Sequence, residues 1–404
     1  NISEKTEISF LGNYAQNLYR VTPEDRETAF GNIIEAYQFK VYFEGQEIDR
    51  FDSYFGAITA TFKPNKNVRL KLITSSFLSD EEENYDILGQ YWISRLETNY
   101  GEESFGEAVE ALGVGTFLNH ARNILITRIH NLEHRGSVNH NNHFIQWGAK
   151  IQQESIEDQL NEWELLDSAG YTLPHPPDSP GYTNPDEQPY QPLELISTYR
   201  TNNNLTSMRY AGFIQDSWNT TLDSSELTLT GGVRMSYWDL NKEFLVSPRF
   251  TIALNPSWKH DVLFRLSAGL YYQTPFYREL RDFSGTLHKD VKAQKSIHFV
   301  GGSDWNFIAW NRPFKFVTEI YYKILQNLIS YEIDDVMIRY SAENNAEGYA
   351  TGIDVRVNGE FVRGVESWAS LSVMQTKENI EGDFYYNDSG EKIPIGYIPR
   401  PTDR

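Results

Sequence analysis

The chain has 404 residues, of which 40% are hydrophobic and 14% aromatic, and its formal net charge is −20. This acidity argues against nucleic-acid binding, which depends on Lys and Arg releasing counterions from phosphates, and the absence of cysteine excludes disulfides and thiolate metal sites. The sequence contains no apolar run long enough for a membrane-spanning helix, whereas a spanning β-strand needs an apolar residue only at every second position. Composition therefore leaves a soluble β-protein and a transmembrane β-barrel as alternatives.

Alternation of apolar and polar residues predicts an all-β, antiparallel chain with about thirteen strands. The pattern is clear where Leu229 and Val233 alternate with Thr228 and Arg234. Most of these segments are about twice as long as an average globular strand of roughly five or six residues, and they suit a tilted spanning strand of roughly nine to eleven. In chain order, the strands are predicted near 4–14, 52–63, 67–78, 117–133, 140–156, 205–220, 225–239, 245–256, 260–273, 294–310, 314–326, 347–358 and 363–376.

Short and long connections alternate between the predicted strands. Short polar turns are predicted at 64–67, 134–136, 222–225, 255–257 and 311–313, and long connections at 15–51, 79–116, 157–204, 274–293, 327–346 and 377–404. The stretch 174–192, which is dense in Pro, Asp, Gly and Asn, is predicted to be the least structured. Outer-membrane barrels have this asymmetry, with short periplasmic turns and long extracellular loops, so the connections favour a transmembrane β-barrel.

Several stretches of the second half resemble the TonB-dependent receptors of Bacteroidetes-type outer membranes. They are Tyr210-Ala-Gly-Phe-Ile-Gln-Asp-Ser-Trp218, Leu227-Thr-Leu-Thr-Gly-Gly-Val-Arg234, Ser247-Pro-Arg-Phe250, Tyr271-Tyr-Gln-Thr-Pro-Phe-Tyr-Arg-Glu-Leu280, Gly348-Tyr-Ala-Thr-Gly-Ile-Asp354 and Pro399-Arg-Pro-Thr-Asp403. The first half matches more loosely, in strand pattern and in the stretches 43–49 and 162–171. The order of these pieces along the chain carries the resemblance, because no single piece is specific.

The resemblance implies a 22-stranded barrel with an N-terminal plug, and TonB-energised import of a scarce ligand across the outer membrane of a Gram-negative bacterium. Residues 1–404 are accordingly expected to be a partial barrel domain, with about 13 of the 22 strands, no plug and an open wall with two unpaired edges. The expected partners are outer-membrane lipid, the TonB complex through the missing N-terminal region, the plug domain of the parent chain and an unknown small ligand. Nucleic acid is not expected as a partner, and no cofactor is predicted.

Two sets of site residues follow from position in this barrel. Extracellular loops carry recognition, so the loop candidates for ligand binding are Trp163, Tyr171, Phe276, Tyr277 and Arg278. The predicted lumen-facing residues, on the polar faces of the strands, are Arg234, Arg249, Arg265, Arg356 and Lys323. A lumen lined with arginine could contact a plug or guide an anionic ligand, or the arginines could simply pair with carboxylates such as Glu226, Glu319 and Asp354. The residues predicted to face lipid are Leu229, Val233, Phe250, Ile252, Leu266, Leu270, Phe316 and Ile320.

Histidines and carboxylates also form clusters in the sequence. His130, His134, His140 and His143 lie around the predicted turn at 134–136 and could bind a transition metal, although polar residues are expected at a turn in any case. Hard cations prefer oxygen clusters, but solvated acidic loops are the favoured interpretation of two acidic runs. These comprise Asp80, Glu81, Glu82, Glu83 and Asp86, and Glu154, Glu157, Asp158, Glu162, Glu164 and Asp167.

The sequence carries none of the common catalytic motifs of hydrolases, zinc proteases or phosphate-binding loops. An enzyme is therefore not predicted, and no catalytic or metal residue is assigned. The alternative function is a non-enzymatic β-sheet surface protein, a sandwich or propeller that binds glycans or proteins. That alternative requires strands of ordinary length and sheets packed around a closed core.

Overall fold

The structure is a computed structural model that describes residues 3–167, 194–334 and 337–399. A single 14-stranded antiparallel sheet dominates it. Its strands are β1 (Thr6–Val21), β2 (Arg26–Gly31), β3 (Ala36–Asn65), β4 (Val68–Leu96), β5 (Ala108–His140), β6 (His143–Asp167), β7 (Glu194–Leu222), β8 (Ser225–Trp238), β9 (Glu243–Asn255), β10 (Asp261–Gln273), β11 (Gln294–Ala309), β12 (Arg312–Leu328), β15 (Ala346–Val362) and β16 (Val365–Ile380). Two small hairpins accompany the sheet, β13 (Tyr331–Asp334) with β14 (Met337–Tyr340) and β17 (Phe384–Tyr386) with β18 (Lys392–Pro394).

Thirteen strands follow one another along the sheet, in the order β1-β3-β4-β5-β6-β7-β8-β9-β10-β11-β12-β15-β16, and β2 pairs only onto β3. Each of the thirteen overlaps one predicted strand, so the predicted all-β antiparallel architecture is confirmed. Within the described residues, β1 and β16 do not pair with each other. No helix in the described part of the chain is long and apolar enough to span a membrane.

Three of the predicted long connections are wrong. Residues 15–51, 79–116 and 157–204 were expected to be loops, but β3, β4, β5, β6 and β7 extend far into them and reach 25 to 33 residues. The physical reason is that polar residues stand on both faces of parts of these extensions, as at Glu81 and Glu82, so strand pairing continues where no apolar alternation reveals it. The stretch 174–192 lies outside the described residues.

The turn predicted at 134–136 is also wrong, because these residues lie inside β5 and the chain turns at Asn141 and Asn142 instead. Asn141 has a φ of 51°, a left-handed conformation that Asn tolerates better than most residues. Gly136 serves a different purpose, since a Cβ added there would lie 2.2 Å from the indole of Trp147 on the neighbouring strand. The glycine makes room for a ring and does not mark a turn.

Register divides the central part of the sheet into two faces. Ile252 pairs with both Leu229 and Leu266, and Gly301 pairs with both Leu266 and Ile320, so these residues lie on one face. With the other residues predicted to face lipid, they define the apolar face. The polar face is the opposite one, and it bears Arg234, Arg249, Arg265, Lys323 and Arg356. Leu266 is 62% exposed, so no second sheet covers it, and the sandwich alternative is wrong.

The apolar face carries tyrosines toward the same end of several strands. Six stretches of nine residues run from a tyrosine at one end to an apolar or aromatic residue at the other, namely 54–62, 210–218, 229–237, 264–272, 314–322 and 349–357. Tyrosine rings meet across strands at this end, with centroids 4.9 Å apart for Tyr14 and Tyr54 and 6.3 Å apart for Tyr210 and Tyr237. A nine-residue stretch matches a tilted spanning strand, and aromatic girdles mark membrane interfaces. We call these stretches the apolar band, and the tyrosine end its upper end.

Candidate ligand-binding cavity

A cavity of about 1210 Å³ lies above the apolar band, on the polar face of β3 to β7. Two segments fold inward over this face and enclose it. One is the connection between β10 and β11, which contains the 3-10 helix Tyr277–Leu280, and the other is the hairpin of β13 and β14. The strands supply a continuous wall because alternate residues of a pleated strand point to one side.

The wall of the cavity is acidic. Most of its carboxylates alternate along the long strands, and they face one another through the cross-strand register. The polar residues of this wall are Glu47 and Asp49 on β3, Glu81, Glu83 and Tyr85 on β4, Asn123 on β5, Asp158 and Glu162 on β6, and Tyr199 on β7. The acidic runs predicted as solvated loops are therefore strand residues, and alternate members of each run line a cavity.

Asp158 fastens the first inward segment to the wall. Its carboxylate is only 3% exposed, and it accepts hydrogen bonds from the Tyr277 hydroxyl at 2.7 Å and from the Arg281 guanidinium at 2.8 Å. Burial, together with the negative charge of Asp158, raises the pKa of Tyr277, which therefore stays a hydrogen-bond donor at neutral pH. Leu280, 1% exposed, adds an apolar anchor in the core cluster that contains Ile156.

Hydrogen bonds to the backbone tie the rest of this segment down. The Tyr199 hydroxyl donates to the Asp282 carbonyl at 2.9 Å, and the Asn203 amide donates to the Gly285 carbonyl at 3.0 Å. Burial opposes ionisation of Asp282, but hydrogen bonds from Ser284, His288 and the Thr286 backbone outweigh it and lower the pKa of Asp282 to about 2. The segment is thus an ordered part of the cavity.

The second inward segment contributes one cation. Arg339 of β14 places its guanidinium 3.2 Å from the carboxylate of Glu162 and 4.8 Å from the ring centroid of Tyr199. A guanidinium between a carboxylate and an aromatic face gains both an ion pair and a cation–π contact. The hairpin is therefore held to the same acidic wall as the first segment.

Glu47, Asp49 and Glu83 form a group of carboxylates on the wall. One oxygen from each lies within 4.8 Å of the others, an arrangement that could hold a cation. Burial raises the pKa of all three groups, and mutual repulsion adds to the effect at Glu47. The Asn123 side-chain amide donates to Glu83 at 2.9 Å and to Glu162 at 2.7 Å, so a neutral group separates these two carboxylates.

The predicted loop residues lie in different places. Tyr277 and Arg278 line the cavity, with Arg278 3.9 Å from Glu81, and the neighbouring Phe276 is 64% exposed. Trp163 stacks on His120, with ring centroids 3.6 Å apart. Tyr171 lies outside the described residues. Ligand binding by these residues stays a prediction.

The carboxylate partners proposed for the arginines of the polar face are not the ones that the structure pairs with them. Arg265 pairs with Asp304 at 2.6 Å, and Lys315 shares that carboxylate at 2.8 Å. Arg249 lies over the ring of Tyr271, 4.2 Å from its centroid. Arg356 donates to the Asn358 side chain at 2.8 Å. The partners of Arg265 and Arg249 lie on neighbouring strands, where the register determines which side chains meet. The partner of Arg356 lies two residues away on the same strand.

The four histidines of the predicted cluster lie on the apolar face. His130 and His134 lie on that face of β5 with one other residue of the face between them. His140 pairs in register with His143, which contacts Asp216 at 2.6 Å. In the described ranges, the only group of three metal-ligating side chains is Glu47, Asp49 and Glu83. The sequence patterns did not indicate Glu47 and Asp49 as site residues, since they lie in a predicted loop and meet Glu83 only through strand pairing.

The comparisons with known proteins point to one family. Residues 6–402 match the family described as TonB dependent receptor-like, beta-barrel, and no curated protein sequence matches the chain. Similar solved structures include the siderophore receptor PirA from Pseudomonas aeruginosa, with a TM-score of 0.45 at 9% identity, where the match covers 94% of this chain and 68% of that one. The transporter YddB from Escherichia coli gives 0.43 at 10% identity with 91% and 55% covered. The RagAB peptide transporter gives 0.42 at 10% identity with 90% and 53% covered, so this chain spans about half of its length.

Proposed function

Because the chain belongs to the TonB-dependent receptor-like β-barrel family, we propose that it forms the barrel wall of a receptor that imports a scarce ligand with energy supplied through TonB. The chain is a β-barrel protein of the Gram-negative outer membrane. The observation that carries the proposal beyond family membership is the cavity above the apolar band, which two inward-folded segments enclose. Its role is to capture a ligand, and no catalysis is assigned to it.

The two faces of the sheet take different roles in this proposal. The apolar face contacts lipid through the apolar band, and the polar face, with Arg234, Arg249, Arg265 and Arg356, lines the lumen. In the complete receptor, residues 1–404 act as one barrel domain whose lumen contacts the plug of the parent chain, and TonB acts through an N-terminal region of that parent. Support comes from the register, which places the arginines on one face and the leucines on the other.

The ligand enters from the side that carries the cavity, which is the extracellular side. Tyr277, Arg278, Phe276 and Trp163 lie in or beside the cavity mouth and are proposed as contacts, and Tyr171 is proposed from sequence alone. The short turns at the opposite end of the sheet, such as the one at Asp223 and Ser224, then lie in the periplasm.

The absence of cysteine from the chain allows a direct test of this orientation. Single cysteines at Ser284, on the cavity side, and at Asp223, in a short turn, can be exposed to a membrane-impermeant maleimide in intact cells that express the receptor. We expect labelling of Ser284→Cys in intact cells and of Asp223→Cys only after permeabilisation. The reverse pattern would overturn the proposed extracellular capture.

Energised import is tested separately by comparing depletion of medium components by cells with and without the receptor. We expect at least one component to be depleted only by receptor-bearing cells, and depletion to stop when an uncoupler collapses the proton-motive force. Depletion that continues with the uncoupler would indicate a passive channel and would contradict the TonB part of the proposal.

A further inference from the structure

The acidic wall already binds guanidinium groups that belong to the chain itself. Arg281 enters from the first inward segment and pairs with Asp158, and Arg339 enters from the second and pairs with Glu162. The two contacts lie on the same strand, at alternate positions of one face. Two different segments therefore satisfy neighbouring carboxylates with the same chemical group.

Glu47, Asp49 and Glu83 form a separate group of carboxylates on this wall, and unlike Asp158 and Glu162 they are not paired with an arginine in the described part of the chain. Among the described residues, Glu47, Asp49 and Glu83 form no ion pair within 4.0 Å, and the Oδ1 atom of Asp49 is buried without a hydrogen-bond partner. The neighbour that the wall provides for Glu83 is the uncharged amide of Asn123. The three side chains are partly buried, and a carboxylate oxygen that is buried without a partner is costly, so this part of the cavity gains from a positive group supplied from outside.

We propose that the cavity binds a ligand with an exposed guanidinium or primary ammonium group, and that Glu47, Asp49 and Glu83 receive this group. The proposal rests on the cavity being the ligand-binding site of the proposed receptor. Charge-assisted hydrogen bonds from the cation replace the missing partners of the carboxylates. Arg281 and Arg339 are not competitors for this role, because Asp158 and Glu162 hold them, and the ion-pair partner of Arg278 is Glu81.

An anionic ligand is disfavoured by the same observations. It would meet the uncompensated charge of the three carboxylates at short range, in a place where burial weakens solvent screening. Arg281 could not easily leave Asp158 to receive it, because an unpaired carboxylate at 3% exposure would remain. The chemistry of the wall therefore selects for positive charge.

The test measures binding of two labelled tripeptides to receptor solubilised from outer membranes, one of arginine and one of its uncharged isostere citrulline. We expect the arginine peptide to bind at least tenfold more tightly, which corresponds to about 1.4 kcal/mol, because hydrogen bonds to a charged group are stronger than those to a neutral one. The variant Glu47→Gln/Glu83→Gln should remove this preference and leave citrulline binding unchanged. The control Glu157→Gln alters a carboxylate of β6 on the opposite face, paired with Arg128, and should leave the preference unchanged.

Equal binding of the two peptides would overturn the proposal, and so would a preference that survives in the double variant. Calcium binding without arginine-peptide binding would replace it with a metal site. The single variant Glu83→Gln, which keeps the shape of the side chain, covers the case in which the double variant does not fold. The cysteine-labelling and uptake experiments test orientation and energised import. If they succeed and the peptide-binding experiment fails, only the proposed ligand class is wrong.

Discussion

The first and second halves of the sheet follow the same alternation inside the apolar band but differ above it. β8, β9 and β10 have 13 or 14 residues and end near the tyrosines, whereas β3, β4 and β5 have 29 to 33 and continue upward. The apolar face is needed only where lipid lies, so above the band the longer strands can carry polar residues on both sides, as at Glu81 and Glu82. Membrane contact therefore sets the pattern of both halves, and the cavity depends on the extra length of one.

The two halves also use ion pairs differently. Around the band, pairs such as Arg265 with Asp304 connect adjacent strands. Above the band, pairs such as Arg281 with Asp158 connect the wall to segments more than 100 residues away in the chain. The first kind adds to an existing strand pairing, whereas the second kind positions the cover of the cavity. Substitutions in the two regions should therefore have different consequences.

The largest effect is expected from Asp158→Ala. Removing one partner of a buried pair costs about 3–5 kcal/mol, and here Arg281 and Tyr277 both lose their acceptor. We expect the segment around 276–288 to lose this amount of local stability, measured by hydrogen exchange of peptides from that segment. The matched control is Glu157→Ala, one residue away on the opposite face, where both partners are more than 40% exposed and the cost should be about 0–1 kcal/mol. Similar exchange in both variants would contradict the anchoring role of Asp158.

A smaller effect is expected from Leu266→Arg in the apolar band. An arginine at the bilayer midplane of a barrel costs roughly 2–4 kcal/mol, and a lumen position tolerates it. The control Ser267→Arg changes the adjacent residue of β10, which lies on the polar face beside Thr251. Unfolding in lipid by denaturant should show the loss for Leu266→Arg alone. If Ser267→Arg proves the more damaging, lipid contacts the polar face and the two faces have been assigned the wrong way round.

The smallest effect concerns pH. The pKa of Asp282 is lowered from 3.8 to about 2, so its hydrogen bonds stabilise the first inward segment above pH 3.8 and are lost as the pH falls toward 2. We expect pepsin to cleave the segment 282–288 faster as the pH is lowered from 4 to 2, after correction for its activity on an unfolded substrate. In Asp282→Asn this dependence should disappear. A corrected rate that stays constant in the native chain would contradict the role of the carboxylate.

The sequence patterns predicted the strands of the apolar band, where lipid contact and strand pairing impose an alternation. They missed the features that depend on which residues meet across neighbouring strands. All thirteen main strands were predicted because the apolar band repeats the same alternation. The extensions were missed because Glu81 and Glu82 look alike in sequence, although only Glu81 lies on the polar face. Gly136 was misinterpreted as a turn residue because a glycine that accommodates Trp147 has the same sequence signature as one that turns the chain. The carboxylate group of Glu47, Asp49 and Glu83 required the register of two strands.

The unequal height of the two halves also has a consequence for kinetics. A tall acidic wall beside a lower rim extends its electric field outward beyond the membrane surface. Such a field accelerates the arrival of oppositely charged solutes by factors that fall steeply with ionic strength, since the Debye length shrinks from about 30 Å at 0.01 M salt to about 8 Å at 0.15 M. For the proposed cationic ligand, binding should therefore be fastest in dilute surroundings, with the association rate far more sensitive to salt than the dissociation rate.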